Sequence, residues 1–165
     1  MTKDRSTLFK TLYDSHSPMV LQMCMGYMKG NTQEAQDLVQ EIFTIVWQKL
    51  DSFRGEAQYK TWLYRITVNT CLHQLRKQKK TRMNSWDQLS KEPISEETDH
   101  QKEEQHQALF RAIGELEEVD RILIMMSLEG EKQDVIAEVL GIKAGTLRVR
   151  MHRIKKALSN QLKTT

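Results

Sequence analysis

Hydrophobic residues recur at helical spacing along most of this chain, and the alternating pattern typical of β-strands is rare. Residues 8–28 form the first predicted helix, which Gly30 and Asn31 end. Pro18 predicts a break or kink of this helix near Ser17, because proline removes a backbone donor. The pattern indicates an all-α protein.

Two further helices are predicted in the first half of the chain. One covers residues 31–50 and begins at Asn31, with Glu34 placed as its capping-box partner. A short loop at residues 51–57 separates it from a helix over residues 58–80, which is apolar at first and increasingly basic towards its end. Together these helices are enough for one small helical domain.

The composition changes between residues 84 and 105. This segment carries seven acidic residues against two lysines, includes Pro93 and has little apolar periodicity. It buries too little apolar surface to fold alone, so we expect a flexible linker. The chain is therefore predicted to hold two small helical domains, residues 1–82 and 108–165, joined by a flexible acidic linker at residues 83–107.

The C-terminal domain contains a helix-turn-helix pattern between residues 132 and 158. Apolar residues recur up to Leu140, Gly141 tolerates left-handed backbone angles, and Ile142 closes the turn. In the second helix the inward positions follow the spacing i, i+4, i+7 and i+11, at Leu147, Met151, Ile154 and Leu158.

The outward face of that second helix is cationic. It carries Arg148, Val149, His152, Arg153 and Lys156. Arginine binds phosphates and guanine edges, and an exposed valine contacts a thymine methyl, so this face is predicted to read duplex DNA. The alternative is a three-helix bundle with a solvated basic face.

The helix over residues 31–50 has an acidic and amide stripe opposite its apolar face. The stripe carries Asp37, Gln40 and Glu41, with Trp47 at its border. An aromatic anchor beside charges suits a protein interface. From the pattern alone, however, a solvated helix face is the simpler interpretation.

A second stripe follows the helix over residues 58–80. It carries Arg65, Asn69, His73 and Arg76, and the preceding loop carries Phe53 and Arg54. Rings that stack on bases beside cations that meet phosphates are what single-stranded nucleic acid requires. The aromatic residues near the start of this helix also fit the core of a small bundle, and for Trp62 the core is the simpler interpretation.

The overall composition, 39% hydrophobic and 28% charged, is ordinary for a soluble globular protein. A net charge of +3 is too small to indicate nucleic acid by itself, so the local stripes carry that argument. Cys24 and Cys71 lie among apolar neighbours, which predicts buried reduced thiols and no metal site. The polar N-terminus and the lack of a long apolar run predict a cytoplasmic protein.

Two runs resemble the extracytoplasmic-function group of bacterial sigma factors. Residues 37–77, DLVQEIFTIVWQKLDSFRGEAQYKTWLYRITVNTCLHQLRK, are similar to sigma region 2. Residues 116–158, LEEVDRILIMMSLEGEKQDVIAEVLGIKAGTLRVRMHRIKKAL, are similar to sigma region 4. The resemblance covers most of the chain, in the family's order and with an acidic linker between the two regions.

The resemblance implies a transcription initiation factor that binds core RNA polymerase, reads the −35 duplex and the melted −10 strand, and promotes DNA opening. It places Asp37, Gln40, Glu41 and Trp47 against the clamp helices of the largest polymerase subunit. It also places Asn69, with Phe53 and Arg54 nearby, at the pocket for an unstacked −10 base.

In region 4, the residues Arg148, Val149, His152 and Arg153 match the family's −35 contacts. Val149 departs from the small polar residue often found there, which leaves the promoter preference open. The family further implies a contact with the polymerase flap region and an inhibitory anti-sigma protein, often membrane-anchored. It implies no cofactor, metal or small-molecule substrate.

Other functions remain open at this stage. A helix-turn-helix regulator with an N-terminal dimerisation or sensor domain would share the DNA-reading helix, and an anti-sigma or adaptor protein would not need the basic stripe. An enzyme has little support, because the five histidines are scattered and no glycine-rich phosphate loop follows a strand. We therefore expect no catalytic residues.

Overall fold

The computed structural model describes residues 2–84 and 100–163 of the chain. These residues form seven α-helices and one short 3-10 turn, so the predicted all-α class is confirmed for them. The elements are α1 Thr2–Tyr27, α2 Thr32–Lys49, the 3-10 turn Leu50–Ser52, α3 Tyr59–Asn84, α4 His100–Gly114, α5 Glu118–Leu128, α6 Gln133–Leu140 and α7 Ala144–Lys163.

Helix α1 continues through Pro18, so of the break or kink predicted near Ser17 the break is wrong. A proline inside a helix removes one backbone hydrogen bond, but packing on both sides can outweigh that loss. Leu12 is buried one and a half turns before the proline, and Val20 and Cys24 are buried after it. Burial of this stripe holds both halves of α1 in one helix.

A tight turn joins α1 to α2. Lys29 and Gly30 both have left-handed backbone angles, with φ of 56° and 84°. The predicted N-cap at Asn31 is confirmed, because its Oδ1 accepts a hydrogen bond from the Glu34 N–H at 3.1 Å. The Asn31 N–H donates to the Met28 carbonyl at 3.0 Å. This N–H therefore does not donate to the Glu34 side chain, as a complete capping box would require.

Helix α4 begins earlier than the composition indicated. Residues 100–107 are helical, although their polar sequence suggested linker. The buried residues of α4, Ala112 and Ile113, lie near its C-terminal end, and a helix anchored there extends into polar sequence at little cost. Residues 85–99, the centre of the predicted linker, lie outside the described residues.

The helices share one continuous hydrophobic core. Helices α1, α2 and α3 pack on one another, and α4 to α7 form a second group. The two groups also touch, because α1 packs against α4 and α5 and α3 packs against α6. Fully buried side chains come from both groups and include Tyr27, Ile42, Tyr64, Leu123 and Ile136.

Glycines allow the closest approaches between the two groups. A Cβ placed on Gly26 would lie 2.2 Å from Sδ of Met125, and one on Gly114 would lie 2.7 Å from Cγ of Lys29. A Cβ placed on Gly30, in the α1–α2 turn, would lie 3.3 Å from Cβ of Phe110 on α4. The two helical groups are therefore in direct van der Waals contact.

The predicted turn of the helix-turn-helix is present between α6 and α7. Gly141 caps α6 with φ 65° and ψ 32°, and the Ile142 N–H donates to the Ala137 carbonyl at 3.1 Å. This is the left-handed cap that glycine favours at helix C-termini. A Cβ at Gly141 would meet no atom within 4 Å, so only its backbone angle requires glycine there.

We predict that Gly141→Ala lowers the free energy of unfolding by about 1–2 kcal/mol, the usual cost of a left-handed angle for a residue with a Cβ. Urea unfolding followed by circular dichroism measures the change. Gly145→Ala is the matched control, because Gly145 lies inside α7 with open space around it. It should stabilise the chain by up to ~1 kcal/mol. A loss of equal size in both variants would contradict the assignment.

Candidate functional site

The helix α7 presents the predicted DNA-reading face to solvent. Its inward residues Leu147, Met151, Ile154 and Leu158 are all buried, as the spacing predicted. The five outward residues are exposed: Arg148, Val149, His152, Arg153 and Lys156. Val149 is 60% exposed, which is unusual for a valine and leaves its methyl groups free to contact a ligand.

Arg150 lies on α7 between the outward residues but points towards α5. Its guanidinium lies 3.7 Å from Oδ1 of Asp120 and 3.9 Å from Oε2 of Glu117 at the start of that helix. Burial raises the pKa of Asp120, and the charge of Arg150 opposes that rise. Arg150 therefore links α7 to the start of α5. The composition of α7 does not distinguish Arg150 from Arg148. Their positions on the helix do, because residues that are two apart in sequence lie on opposite sides of a helix.

The second stripe lies along α3. Asn69, His73 and Arg76 are exposed, and Lys77 and Lys80 continue the positive charge. Among the described residues, the Asn69 side chain has no hydrogen-bond partner. Arg65 is only half exposed, because its Nη2 donates to Oε1 of Glu138 on α6 at 2.9 Å.

A cluster of three rings lies where the loop before α3 meets the first turn of that helix. Phe53 stacks on Tyr59 with centroids 4.3 Å apart and an interplanar angle of 24°. Trp62 lies 5.1 Å from Phe53 and 6.4 Å from Tyr59. All three rings are partly exposed, and Arg54 beside them is exposed. Tyr59 was missing from the predicted site, although its spacing from Trp62, three residues along a helix, places both on one side.

The core interpretation of the other aromatic residues is correct for Tyr64 and only partly correct for Trp62. Tyr64 is fully buried, and its hydroxyl donates to Oε1 of Glu131 at 3.2 Å. Burial, together with the Glu131 charge, raises the pKa of Tyr64. Trp62 is partly exposed within the ring cluster. Three partly exposed rings therefore line the surface at the start of α3, and Tyr64 belongs to the core.

The acidic stripe of α2 is exposed as predicted. Asp37, Gln40 and Glu41 face solvent, opposite the buried Leu38 and Ile42. These three polar residues make a continuous patch along about one turn of the helix.

Trp47 lies at the end of this patch and is 39% exposed. The Arg5 guanidinium lies over the ring, with its Cζ 4.4 Å from the ring centroid. The Phe9 ring is nearly perpendicular to the indole, with the two ring centroids 5.3 Å apart. Arg5 also donates to the Trp47 carbonyl and pairs with Asp51 at 2.8 Å. The N-terminal turns of α1 thus fix the orientation of the indole.

The three sets of predicted residues lie on three different helices. The α3 set reaches α6 through Arg65 and Glu138. Within the described residues there is no cluster of three side chains suited to hold a metal ion. None of the helices there combines the length and the apolar character that a membrane crossing requires.

Two family models match the chain. Residues 12–81 match the model described as Sigma-70 region 2, and residues 106–158 match the one described as Sigma-70, region 4. The first contains α2, the ring cluster and most of α3, and the second contains α5, α6 and the exposed face of α7. The alternative, a regulator with an N-terminal dimerisation or sensor domain, is therefore not favoured.

Two curated relatives carry the same assignment. The chain is 28% identical to the ECF RNA polymerase sigma factor SigW of Bacillus subtilis (strain 168), over 94% of this chain and 89% of the relative. It is 33% identical to the ECF RNA polymerase sigma-E factor of Escherichia coli (strain K12), over 78% of this chain and 74% of the relative.

Two solved structures share the fold. The sigma factor RpoE in complex with the anti-sigma factor NepR from Bartonella quintana matches with a TM-score of 0.75 and 24% identity, over 94% of this chain and 96% of that one. CnrH in complex with the cytosolic domain of CnrY matches with a TM-score of 0.70 and 21% identity, over 96% and 90%. The chain belongs to the ECF family of RNA polymerase sigma factors, the initiation factors that bind core RNA polymerase and promoter DNA.

Proposed function

We propose that the three exposed surfaces divide the work of initiation. The patch on α2, Asp37, Gln40, Glu41 and Trp47, binds the clamp helices of the largest polymerase subunit. The α3 stripe, with Phe53 and Arg54, captures the melted −10 strand. The outward face of α7 reads the −35 duplex. The observation that carries this proposal is that all three sets are wholly or partly exposed, and that α2, α3 and α7 bury their opposite faces.

The chemistry of each surface suits its proposed ligand. A fixed indole supplies anchor area at a protein interface, and the carboxylates beside it set the register. The amide of Asn69 offers both a donor and an acceptor to a base edge, and the ring cluster offers a stacking surface for an extruded base. The cations of α7 meet phosphates and guanine edges in the major groove.

The proposal extends to regulation and to location. The protein has no catalytic activity of its own, and it acts in the cytoplasm, where core polymerase and promoter DNA are found. An anti-sigma protein holds it inactive, in line with the structural relative RpoE, which was solved in complex with the anti-sigma factor NepR. Run-off transcription with purified core polymerase on a panel of promoters tests the function, and initiation that does not depend on the added protein would refute it.

We predict that Trp47→Ala weakens binding to core polymerase by about 2 kcal/mol, because it removes a central aromatic anchor. Fluorescence anisotropy with labelled core enzyme measures the affinity. Phe9→Leu is the matched control, since it loosens the support of the indole without removing the indole itself. It should lower affinity far less. Unchanged binding of a folded Trp47→Ala protein would disprove the interface.

Asn69→Ala should leave polymerase binding, −35 affinity and thermal stability near those of the original protein, because the amide has no internal partner within the described residues. Open-complex formation should fall, with the largest defect on promoters that carry the preferred −10 base. Permanganate footprinting measures the opening. A premelted template should recover the opening but not the base preference. A uniform loss on all templates together with a lower melting temperature would point to a structural role.

On α7, we expect three basic residues to behave differently. Arg148→Ala should cost roughly 1–3 kcal/mol of −35 affinity and relax the base preference, whereas Lys156→Ala should weaken all duplexes alike by losing a phosphate contact. Arg150→Ala is the internal control, because its guanidinium faces α5. It should lower stability without changing the base preference. Binding to a randomised duplex library measures all three, and identical profiles for Arg148→Ala and Lys156→Ala would contradict the division.

A further inference from the structure

We propose that core RNA polymerase contacts α1 as well as α2, with Tyr13 of α1 as a second aromatic anchor beside Trp47. The proposal rests on the function proposed for the α2 patch and extends that patch across the boundary between the two helices. The polymerase-binding residues predicted from the sequence all lie on α2, so this assignment adds a helix to the interface.

Four rings pack in a continuous line where α1 meets α2. We call this line the aromatic seam, and it consists of Phe9, Tyr13, Phe43 and Trp47. The Phe9 ring is nearly perpendicular to those of Phe43 and Trp47, with centroid distances of 6.2 and 5.3 Å. The Tyr13 ring lies 4.7 Å from Phe43 and 6.4 Å from Phe9. Aromatic pairs at these distances attract one another, so the packing fixes the position of each ring.

The two ends of the aromatic seam are open to solvent. Tyr13 is 43% exposed and Trp47 is 39% exposed, whereas Phe43 of the same line is buried. Few other large hydrophobic side chains are as exposed in the part of the chain that the structure describes. Tyrosine and tryptophan are enriched at protein interfaces, and contiguous exposed apolar surface marks interaction sites. The seam therefore offers a partner two rings that are already held in place.

The position of Trp47 indicates that the interface continues beyond α2. Asp37 and Glu41 project to one side of Trp47, and α1 packs on its other side. Binding anchors cluster near the centre of an interface and are surrounded by polar residues that exclude water. An interface confined to α2 would leave Trp47 at its margin. An interface that includes Tyr13 places both rings between the carboxylates of α2 and the exposed Lys10 of α1.

The size of a stable interface supports the same extension. A standard interface buries about 800 Å² on each partner and involves roughly 20–30 residues of each. The four predicted residues of α2 span about three turns of one helix and cover a small part of that area. Because α1 packs along α2, its exposed face is adjacent to the patch, and a partner bound to α2 can continue onto it.

The charges beside the aromatic seam determine what the partner must present. Asp37 and Glu41 are exposed carboxylates, and they attract basic residues. The Arg5 cation at one end of the seam is compensated, because it pairs with Asp51 at 2.8 Å. The surface therefore fits a polymerase segment with an apolar side chain against the rings and basic side chains against the carboxylates. The carboxylate contacts should weaken as salt increases, whereas the apolar contact of Tyr13 should not.

Affinity for purified core polymerase tests the proposal, measured by fluorescence anisotropy with the full-length chain. Tyr13→Ala should raise the Kd about 5–10-fold, and Tyr13→Phe should change it less than about twofold, because the ring remains. Thr11→Ala is the matched control. Thr11 is exposed on the opposite side of α1, two residues before Tyr13, and its hydroxyl donates to the Thr7 carbonyl. This variant should also change the Kd less than about twofold.

The salt dependence separates the two kinds of contact. Between about 150 and about 500 mM NaCl, the effect of Tyr13→Ala on the Kd should keep its size, since an apolar contact is not screened. The effect of Glu41→Gln should shrink about twofold or more over the same range. A Tyr13→Ala effect that disappears at high salt would show that the apolar contact does not form, and would overturn the proposal.

A photo-cross-link tests the contact directly. Tyr13 is replaced by p-benzoylphenylalanine, which keeps an aromatic ring, and the same group replaces Thr11 as the control. On irradiation of the complex with core polymerase, the probe at position 13 should cross-link to the largest subunit, and the probe at position 11 should not. A merely structural role of Tyr13 would not produce this cross-link.

Unchanged affinity of a folded Tyr13→Ala protein would overturn the proposal, and so would equal cross-linking from the two probes or none from position 13. A weaker Tyr13→Ala protein with a lower melting temperature and no cross-link at position 13 would show that Tyr13 acts through the fold, and would overturn the contact as well. If Tyr13→Ala does not fold, the cross-link decides. Failure of the function proposed for α2 is seen separately, because Trp47→Ala would then bind core polymerase as tightly as the original protein.

Discussion

Burial of apolar stripes in one continuous core determines how this molecule presents its function. Each long helix gives one face to the core, as α7 does with Leu147, Met151, Ile154 and Leu158, and only the remaining face can meet a partner. The three predicted sets lie on the exposed faces of three different helices, α2, α3 and α7. Surfaces for a protein and for two forms of DNA can therefore coexist on a chain of 165 residues without competing for the same side chains.

The sequence pattern predicted correctly those features that depend only on residues close together along the chain. The spacing of α7, the cap at Asn31 and the exposed stripe of α2 all follow from periodicity and hydrogen-bonding chemistry within a few residues. The continuity of α1 through Pro18 did not follow, because packing against distant helices outweighs a local preference. The helical start of α4 at His100 was missed for a related reason, since polar residues propagate a helix that is anchored elsewhere.

Non-local contacts could not be read from the sequence at all. Tyr64 and Glu131 are 67 positions apart, and Arg65 and Glu138 are 73 apart, so no periodic pattern connects them. The pairing of arginines with carboxylates of the same chain could not be predicted from the sequence either. Arg5, Arg65 and Arg150 each pair with a carboxylate of the protein itself, on Asp51, Glu138 and Asp120. A basic stripe in a sequence therefore overstates the positive charge that is available to nucleic acid in the folded chain.

The short turn between α1 and α2 has a consequence for engineered hybrids. Lys29 and Gly30 belong to the part of the chain that matches region 2, yet they pack on Gly114 and Phe110 of α4, which match region 4. The border between the two family models is thus not a border between independent mechanical parts. A chimera that joins this N-terminal half to the region 4 of a relative would need a glycine at the position of Gly114. A larger residue there would collide with the Lys29 side chain and displace it.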